Sequence, residues 1–361
     1  MRYVVSTFSL VLLASLCFSQ RAADTSNLLP HPVYQNGTAV YINRSGTVVF
    51  KSPFSNGSTF SEGLAAFTEN DKVGFMDETG KVAIKPSFDS AKEFSEGYAA
   101  IEVNDKWGFI DKTGRHVINP QFDTAESFSE GLARVEMYVG DARDGDDIYK
   151  SGFIDKKGTM VIGRTRKPVM IGKRIFTSPK FDEAGDFSES LAPVRVGAKW
   201  GYVNKEGQFA IQLQFKGAKM FSDGLAPVTY DGLKWGYLNK AGKLVIQPQF
   251  ADAGSFSEGF APIAVYRSGY AKEWGFIDSE AHIVIAPQFY GAEEFHEGLA
   301  SIFEPKRGGF GFIDTAGREI IKPQFDGVGR FVGGIAWVST PKDKGGYIDT
   351  TGGYIWKPEE R

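Results

Sequence analysis

The stretch KWGFIDKTG at residues 106–114 decides the fold, because it recurs along the chain. It returns as KWGYVNKEG at residues 199–207 and as KWGYLNKAG at residues 234–242. A shorter form, WGFID, stands at residues 274–278. Repetition of this kind is typical of an array of small supersecondary units, none of which buries its apolar face alone.

The array is predicted to contain about nine units over residues 38–361, with insertions near residues 140–148 and 163–178. The units are separated by 34 to 49 residues when they are aligned on the glycine of each Trp-Gly pair, or on the residue in its place. These anchors are Val40, Gly74, Gly108, Gly152, Gly201, Gly236, Gly275, Gly311 and Gly346.

Each unit reads as three β-strands. In the unit around residue 107, residues 99–103 are β-prone, residues 107–110 form a second strand, and residues 116–118 form a third that ends before Pro120. The turn D-K-T-G at residues 111–114 joins the last two, with glycine where φ is positive. Ala281 replaces this glycine in one unit, which predicts a strained turn or a different turn type.

Two further phrases accompany the Trp-Gly phrase in fixed order. I-x-P-x-F stands at residues 84–88, 246–250 and 321–325, and F-S-E-G-[LYF]-A stands at residues 94–99 and 256–261. The combination resembles the WG-repeat family of bacterial β-repeat proteins over about residues 38–358, with Val73, Ser151, Phe310 and Gly345 in place of tryptophan. The resemblance implies an all-β array and almost no biochemistry, because a fold does not define a function.

The first residues indicate export. Arg2, the apolar stretch 4–18 and the small residues Cys17 and Ser19 before Gln20 predict a signal peptide at residues 1–19, followed by a leader at 20–37. The apolar run is shorter than the roughly 20 residues of a spanning helix, so no transmembrane segment is expected after cleavage. Lipidation at Cys17 is the alternative. The expected location is the periplasm, the cell envelope or the extracellular space.

Composition excludes several classes of function. The net charge of −3, or −4 without Arg2, gives no reason to expect a nucleic-acid partner. The one cysteine leaves with the signal, which excludes thiol catalysis and thiolate metal sites. The chain has no nucleophile-elbow, P-loop, dinucleotide or zincin motif. We therefore expect no enzyme, no cofactor and no metal. If the source is eukaryotic, the sequons at Asn36, Asn43 and Asn56 are candidate glycosylation sites.

The recurring polar and aromatic residues are interpreted as structural. The glutamate of F-S-E-G recurs in most units, as a turn residue does, at Glu62, Glu96, Glu130, Glu189, Glu258 and Glu297. The Trp-Gly pairs are predicted to pack in the core, and a carbohydrate-stacking platform is the alternative for their rings. These pairs are Trp107 and Gly108, Trp200 and Gly201, Trp235 and Gly236, and Trp274 and Gly275.

Three segments break the repeat. The acidic insertion 140–147 is interpreted as a solvated loop, with Ca²⁺ binding as the alternative. The basic segment 164–174 is expected to pair with that loop or to dock an anionic partner. The stretch Glu293–Glu297, which contains His296, is the one cluster of histidine and carboxylates.

The sequence therefore predicts an open, curved, solenoid-like array, with a closed β-propeller as the alternative. Unequal spacings and atypical first and last units favour the open form. The expected function is a non-enzymatic binding or scaffold role at the cell envelope or outside the cell, with a protein or a polysaccharide as partner. A polysaccharide-binding lectin or an extracellular hydrolase is the alternative.

Overall fold

A computed structural model describes residues 31–35, 38–54, 56–141, 147–163, 169–171, 174–176, 180–267, 271–340 and 345–357. The described chain is all-β, with a single 3-10 turn at Pro305–Arg307. Its strands form nine antiparallel sheets, here called blades 1 to 9, and one separate hairpin. Seven blades have four strands and two have three, so the prediction of three-stranded units was wrong.

The first four blades cover the N-terminal part of the chain. Blade 1 comprises β1 (His31–Gln35), β2 (Thr38–Ile42) and β3 (Val48–Lys51); blade 2 comprises β4 (Leu64–Glu69), β5 (Lys72–Asp77) and β6 (Val82–Phe88). Blade 3 comprises β7 (Ser90–Ala91), β8 (Tyr98–Val103), β9 (Lys106–Asp111) and β10 (His116–Phe122). Blade 4 comprises β11 (Thr124–Ala125), β12 (Ala133–Asp141), β13 (Asp147–Ile154) and β14 (Met160–Ile162).

A hairpin of β15 (Val169–Ile171) and β16 (Arg174–Phe176) precedes the remaining blades. Blade 5 comprises β17 (Glu183–Ala184), β18 (Leu191–Val196), β19 (Lys199–Asn204) and β20 (Phe209–Phe215); blade 6 comprises β21 (Gly217–Ala218), β22 (Leu225–Thr229), β23 (Trp235–Asn239) and β24 (Leu244–Phe250). Blade 7 comprises β25 (Asp252–Ala253), β26 (Phe260–Tyr266), β27 (Lys272–Asp278) and β28 (Ile283–Phe289). Blade 8 comprises β29 (Gly291–Ala292), β30 (Leu299–Glu304), β31 (Gly309–Asp314) and β32 (Glu319–Phe325); blade 9 comprises β33 (Gly327–Val328), β34 (Ile335–Ser339), β35 (Gly346–Asp349) and β36 (Tyr354–Trp356).

The strand missed by the sequence analysis is the first of each blade. It has only two residues in blades 3 to 9 and follows directly after the I-x-P-x-F phrase or its equivalent. In blade 3, Ser90 pairs with Glu102 and Ala91 with Ile101. Two residues are too few to show the alternation by which a strand is recognised in a sequence.

The glycine of each Trp-Gly pair is required by an irregularity in the neighbouring strand. In blade 6 the pairing of β23 with β24 shifts register between Trp235 and Tyr237. The displaced backbone of β24 passes so close to Gly236 that an added Cβ would overlap the Ile246 carbonyl oxygen and lie 2.7 Å from the Pro248 nitrogen. Equivalent close approaches occur at Gly108, Gly201 and Gly275.

Gly236→Ala is expected to lower the free energy of unfolding by about 3 kcal/mol, since backbone atoms cannot move aside as a side chain does. Chemical denaturation measures this loss. Gly259→Ala is the matched control: its φ is +84° and nothing lies within 4 Å of the added Cβ, so only left-handed strain of about 1 kcal/mol is expected. An equal loss in both variants would contradict the steric origin of the effect.

The hydrophobic core is divided among the spaces between adjacent blades. One surface of blade 6, with Tyr237 and Phe250, packs on Ile263 and Ile277 of blade 7, and Phe256 lies between them. The same arrangement repeats in nine clusters of described buried residues. Each blade therefore depends on both of its neighbours, as expected for repeats that cannot bury their faces alone.

The ninth of these clusters closes the ring. Val33, Val40 and Ile42 of blade 1 pack against Tyr347 and Trp356 of blade 9. The Tyr347 hydroxyl also donates to the Pro32 carbonyl oxygen at 3.5 Å. The protein is a nine-bladed β-propeller, and the prediction of an open solenoid-like array was wrong.

The unequal spacings and the atypical ends, which favoured the open form, are both compatible with a closed ring. The largest spacings come from the insertion between β12 and β13 and from the segment with the β15–β16 hairpin between blades 4 and 5, and neither interrupts the order of the blades. The atypical ends fit each other: Gly333 of blade 9 stands where other units have glutamate, and a side chain there would overlap the Arg44 guanidinium of blade 1. Gly345 replaces a tryptophan and faces the ring of Trp337 instead, since an added Cβ would lie 2.9 Å from Trp337 Cε2.

The turn at Ala281 keeps the geometry of the other D-x-x-G turns. Ala281 has a φ of +69°, and its amide donates to the Asp278 carbonyl oxygen at 3.1 Å, as glycine does elsewhere. The turn type is retained, with alanine in the left-handed region.

The predicted signal peptide at residues 1–19 lies outside the described residues, and so does most of the leader at 20–37.

Candidate functional site

The antiparallel order of the blades gives the ring two different faces. The turn face carries the F-S-E-G turns between first and second strands and the D-x-x-G turns between third and fourth strands. The loop face carries the loops between second and third strands and the connections from each fourth strand to the next blade. These assignments follow from the alternating direction of successive strands.

On the turn face, carboxylates join each blade to the next. The Glu96 carboxylate accepts a hydrogen bond from the Gly131 amide at 3.0 Å and pairs with the Lys156 ammonium at 3.1 Å. Burial raises the pKa of Glu130, but the Lys205 ammonium and two backbone amides outweigh it and lower that pKa. The same bond to the next turn is made by Glu62, Glu130, Glu189, Asp223, Glu258 and Glu297.

These contacts account for the recurrence of the glutamate. Each of these residues has a φ near +50° in its turn and uses its carboxylate on the neighbouring blade. Serine hydroxyls add a second link, as Ser95 donates to the Phe128 carbonyl oxygen at 2.7 Å. The turn-face carboxylates and serines are therefore engaged in contacts between blades, and the loop face is the candidate surface for a partner.

On the loop face, lysine–aspartate pairs link successive blades in the first half of the ring. Lys106 pairs with Asp123, whose other carboxylate oxygen accepts the Tyr138 amide at 2.7 Å. Lys72 pairs in the same way with Asp89, and Lys150 with Asp182. The Lys72 ammonium and the Asn104 amide lower the pKa of Asp89.

This pairing stops at blades 5 and 6. Lys216 stands where the aspartate is expected, and Ala251 takes that place after blade 6. Within the described residues, the exposed Lys199, Lys216 and Lys234 have no carboxylate within ion-pair distance. The loop face therefore carries three unneutralised ammonium groups in this region.

Exposed aromatic side chains are concentrated on the same face. The loop-face tyrosines extend from the loop of blade 4 to the connection into blade 8 and are 37% to 52% exposed: Tyr138, Tyr149, Tyr230, Tyr266 and Tyr290. Leu233, in the loop of blade 6, is 65% exposed. Sequence analysis missed these residues, which lie in the loops, in the connections and on the adjoining parts of the strands, where the repeat has no fixed residue. A tyrosine face with a basic region is a suitable surface for a macromolecule, because tyrosine offers large contact area and a hydrogen bond together.

The four Trp-Gly tryptophans lie at the margins of the interblade cores and are half-buried: Trp107, Trp200, Trp235 and Trp274. Their rings pack against the cores, and ammonium groups cover two of them. Lys92 Nζ lies 5.5 Å from the centre of the Trp107 ring, and Lys219 Nζ lies 5.1 Å from that of Trp235. Their partner glycines are buried.

The other predicted candidates are distributed without forming one centre. Within the stretch Glu293–Glu297, Glu293 accepts from the Ser301 hydroxyl at 2.9 Å, Glu294 accepts from the Ser255 amide at 3.1 Å, and Glu297 holds the turn of blade 9. Residues 142–146 of the acidic insertion and 164–168 of the basic insertion lie outside the described residues. Both insertions leave the ring from the loop face.

The sequon asparagines also take part in local hydrogen bonding. The Asn43 side chain accepts from the Ser45 and Thr47 amides, each at 3.0 Å, and Asn56 accepts from the Thr68 amide at 2.8 Å. Asn36 lies outside the described residues.

The prediction that Glu293–Glu297 is the one cluster of histidine and carboxylates was wrong, because Asp278, Glu280 and His282 form another, with ligand atoms within 4.8 Å of one another. His282 Nδ1 is 2.9 Å from Asp278 Oδ2. The hydrogen bond and charge of Asp278 raise the pKa of His282. Asp278 and Glu280 belong to the turn that ends at Ala281, His282 follows it, and the Glu280 and His282 amides both donate to Asp278 Oδ1 as in the other turns of this type.

The chain belongs to the WG-containing repeat family, whose model matches it in eight segments: 41–72, 74–107, 107–138, 173–200, 200–233, 235–265, 274–303 and 310–340. The resemblance seen in the sequence is thereby confirmed. Among curated proteins, none matches this chain significantly. The described part of the chain contains no helix that is long and apolar enough to cross a membrane.

Several solved structures are similar at low identity. A eukaryotic initiation factor is 12% identical, with a TM-score of 0.45, and the match covers 81% of this chain and 95% of that one. BamB from Moraxella catarrhalis is 10% identical, with a TM-score of 0.40, and the match covers 76% of this chain and 93% of that one. Similarity at this level carries no information about the function of this chain.

Proposed function

We propose that this chain is an exported, non-enzymatic WG-repeat protein that binds another protein through the loop face of its ring. The observation that carries this proposal is the concentration of exposed tyrosines on that face. Export is supported by the signal-like residues 1–19. A scaffold role at the cell envelope or outside the cell follows from these two properties together.

An exposed tyrosine ring leaves apolar area in contact with water, which a binding partner can cover. Tyr266 and Tyr290 are each about half exposed, at 52% and 51%, and neither ring stacks on another aromatic ring of the described residues. Tyrosine is enriched at protein interfaces because a rigid ring buries much area while its hydroxyl finds a partner. The three unneutralised lysines of blades 5 and 6 favour a partner with acidic residues.

The test is capture of the partner from the native extract by the mature chain, followed by measurement of affinity with the purified partner. The triple variant Tyr230→Ser, Tyr266→Ser, Tyr290→Ser is expected to weaken binding at least 100-fold, as loss of several interface tyrosines does. Its melting temperature should fall only slightly, because the three side chains are 43% to 52% exposed; the main loss is expected at Tyr230, whose ring centre lies 5.0 Å from that of the buried Phe215.

The matched control alters the same blades on another surface. Val245, Ile283 and Ile320 lie on the fourth strands of blades 6, 7 and 8 and are 40% to 57% exposed. Threonine at these three positions should leave the affinity unchanged. Equal loss in both triple variants, or unaltered binding by the tyrosine variant, would refute the loop-face site. A glycan array probed with the same proteins identifies the polysaccharide-binding alternative.

A further inference from the structure

In two blades the ammonium group of a lysine lies over the tryptophan ring of the Trp-Gly pair. The Lys92 ammonium in blade 3 lies over the Trp107 ring and pairs with Glu126 of blade 4. The Lys219 ammonium in blade 6 lies over the Trp235 ring, 3.5 Å from Asp252 Oδ1 and 2.7 Å from the Ala253 carbonyl oxygen of blade 7. Each group therefore combines an aromatic face, a cation and a carboxylate on the next blade.

Blade 7 has the aromatic face and the carboxylate without the cation. Gly254 occupies the position of Lys92 and Lys219, two residues after the start of the first strand. Trp274 is the tryptophan, and Glu293 of blade 8 occupies the position of Glu126. Among the described residues, no ammonium or guanidinium group lies over the Trp274 ring.

A cavity of about 270 Å³ lies at this place, between blades 7 and 8. Besides Trp274 and Glu293, its lining includes Ser301 and the rings of Phe303 and Phe310. Phe310 is itself one of the substitutions for tryptophan, and the smaller ring leaves room. The volume is near the lower end of small-ligand pockets, which span about 300–1,000 Å³.

We propose that this cavity binds an alkylammonium group, in the position that a lysine of the chain itself fills in blades 3 and 6. Aromatic faces attract ammonium groups through their negative quadrupole. Glu293 supplies the opposite charge, and the Ser301 hydroxyl fixes it by a hydrogen bond of 2.9 Å. The ligand is a free organic amine or a lysine side chain, since both present the same group. This proposal goes beyond the proposed function, although the cavity adjoins one loop-face tyrosine: Tyr290 directly precedes Gly291 of its lining, and the Tyr290 amide donates to the Phe303 carbonyl oxygen at 3.1 Å.

Calorimetric titration of the full chain with n-butylammonium tests the proposal, with n-pentanol as the neutral compound of similar size. The cation is expected to bind at least tenfold more tightly than the alcohol. Trp274→Ala and Glu293→Gln should each weaken its binding at least tenfold. Glu126→Gln is the matched control. It alters the equivalent site between blades 3 and 4, which Lys92 already fills, and should leave binding unchanged. Equal binding of cation and alcohol would overturn the proposal.

A second variant supplies the missing cation from within the chain. Gly254→Lys combined with Pro262→Ala copies Lys92 and Ala100 of blade 3, and the proline change removes the ring whose Cγ would lie 2.5 Å from a Cβ at Gly254. This double variant should abolish n-butylammonium binding, whereas Pro262→Ala alone should retain it. Wild-type binding by a folded double variant would overturn the proposal.

The two sources of the ammonium group are separated by comparing n-butylammonium with a peptide that carries one internal lysine. Tighter binding of the peptide, lost in Glu293→Gln, identifies a lysine side chain as the ligand. Tighter binding of the free amine, lost in the same variant, identifies a small amine.

Discussion

Removal of residues 327–361, which contain blade 9, is expected to unfold the remaining chain. The deletion breaks two of the nine interblade clusters. Exposure of the side chains left behind costs roughly 10–20 kcal/mol at about 1.5–3 kcal/mol each, which equals or exceeds the net stability of an ordinary domain. Circular dichroism and limited proteolysis measure the loss. The exposed side chains are Leu299, Phe312, Ile321 and Phe325 on blade 8, and Val33, Val40 and Ile42 on blade 1.

A circular permutant is the control for this deletion. Residues 327–356 are placed before residue 31 and joined to it by a short Gly/Ser linker, so that every interblade contact is retained while the chain opens elsewhere. A closed ring predicts that the permutant folds and melts near the wild-type temperature. If the deletion variant stays folded and the permutant does not, the contact between blades 1 and 9 contributes little and the ring closure is refuted.

The local structure of each unit was largely predictable from the sequence. The D-x-x-G phrase predicts a turn with an aspartate that bonds the backbone ahead, and the Asp111 carboxylate accepts the Thr113 amide at 2.9 Å. The Thr113 hydroxyl is the main cause of the lowered pKa of Asp111. These interactions join residues a few positions apart, so the sequence alone contains the information.

The closure of the ring was not predictable in the same way, because it depends on residues almost 300 positions apart. In the sequence, closure is indicated by two departures from the repeat, Arg44 in the first unit and Gly333 in the last. Each of them, taken alone, resembles an ordinary irregularity of a terminal unit. Only their contact shows that one compensates for the other. Atypical terminal units therefore do not distinguish an open array from a ring when their departures are complementary.

The candidate sites were hidden for a related reason. Catalytic motifs are recognised by rare residue types, whereas the cavity between blades 7 and 8 arises because two larger side chains are absent from it. Gly254 stands at the position where blades 3 and 6 have Lys92 and Lys219. Phe310 stands where other units have tryptophan, and its ring is smaller. Such a site becomes visible when equivalent positions of different blades are compared in three dimensions.

Tyr237→Ala is expected to lower the free energy of unfolding by about 3–5 kcal/mol, the range for emptying a large buried side chain. Tyr237 is fully buried between blades 6 and 7, where its ring lies 4.9 Å from that of Phe256. Trp235, two residues earlier on the same strand, is half-buried, so Trp235→Ala should cost only about 1–2 kcal/mol. Urea denaturation of both variants gives the comparison.

Tyr237→Phe separates packing from hydrogen bonding at the same position. The Tyr237 hydroxyl donates to the Gly254 carbonyl oxygen at 2.8 Å, and burial raises its pKa, so it remains a donor over the whole range in which the protein is handled. Phenylalanine keeps the ring and leaves that carbonyl without its donor, which should cost about 1 kcal/mol. If Trp235→Ala proves more destabilising than Tyr237→Ala, the tryptophan of the Trp-Gly pair, and not the aromatic residue that follows it, is the main anchor of each blade. The interblade core would then extend to the margin where Lys219 covers the Trp235 ring.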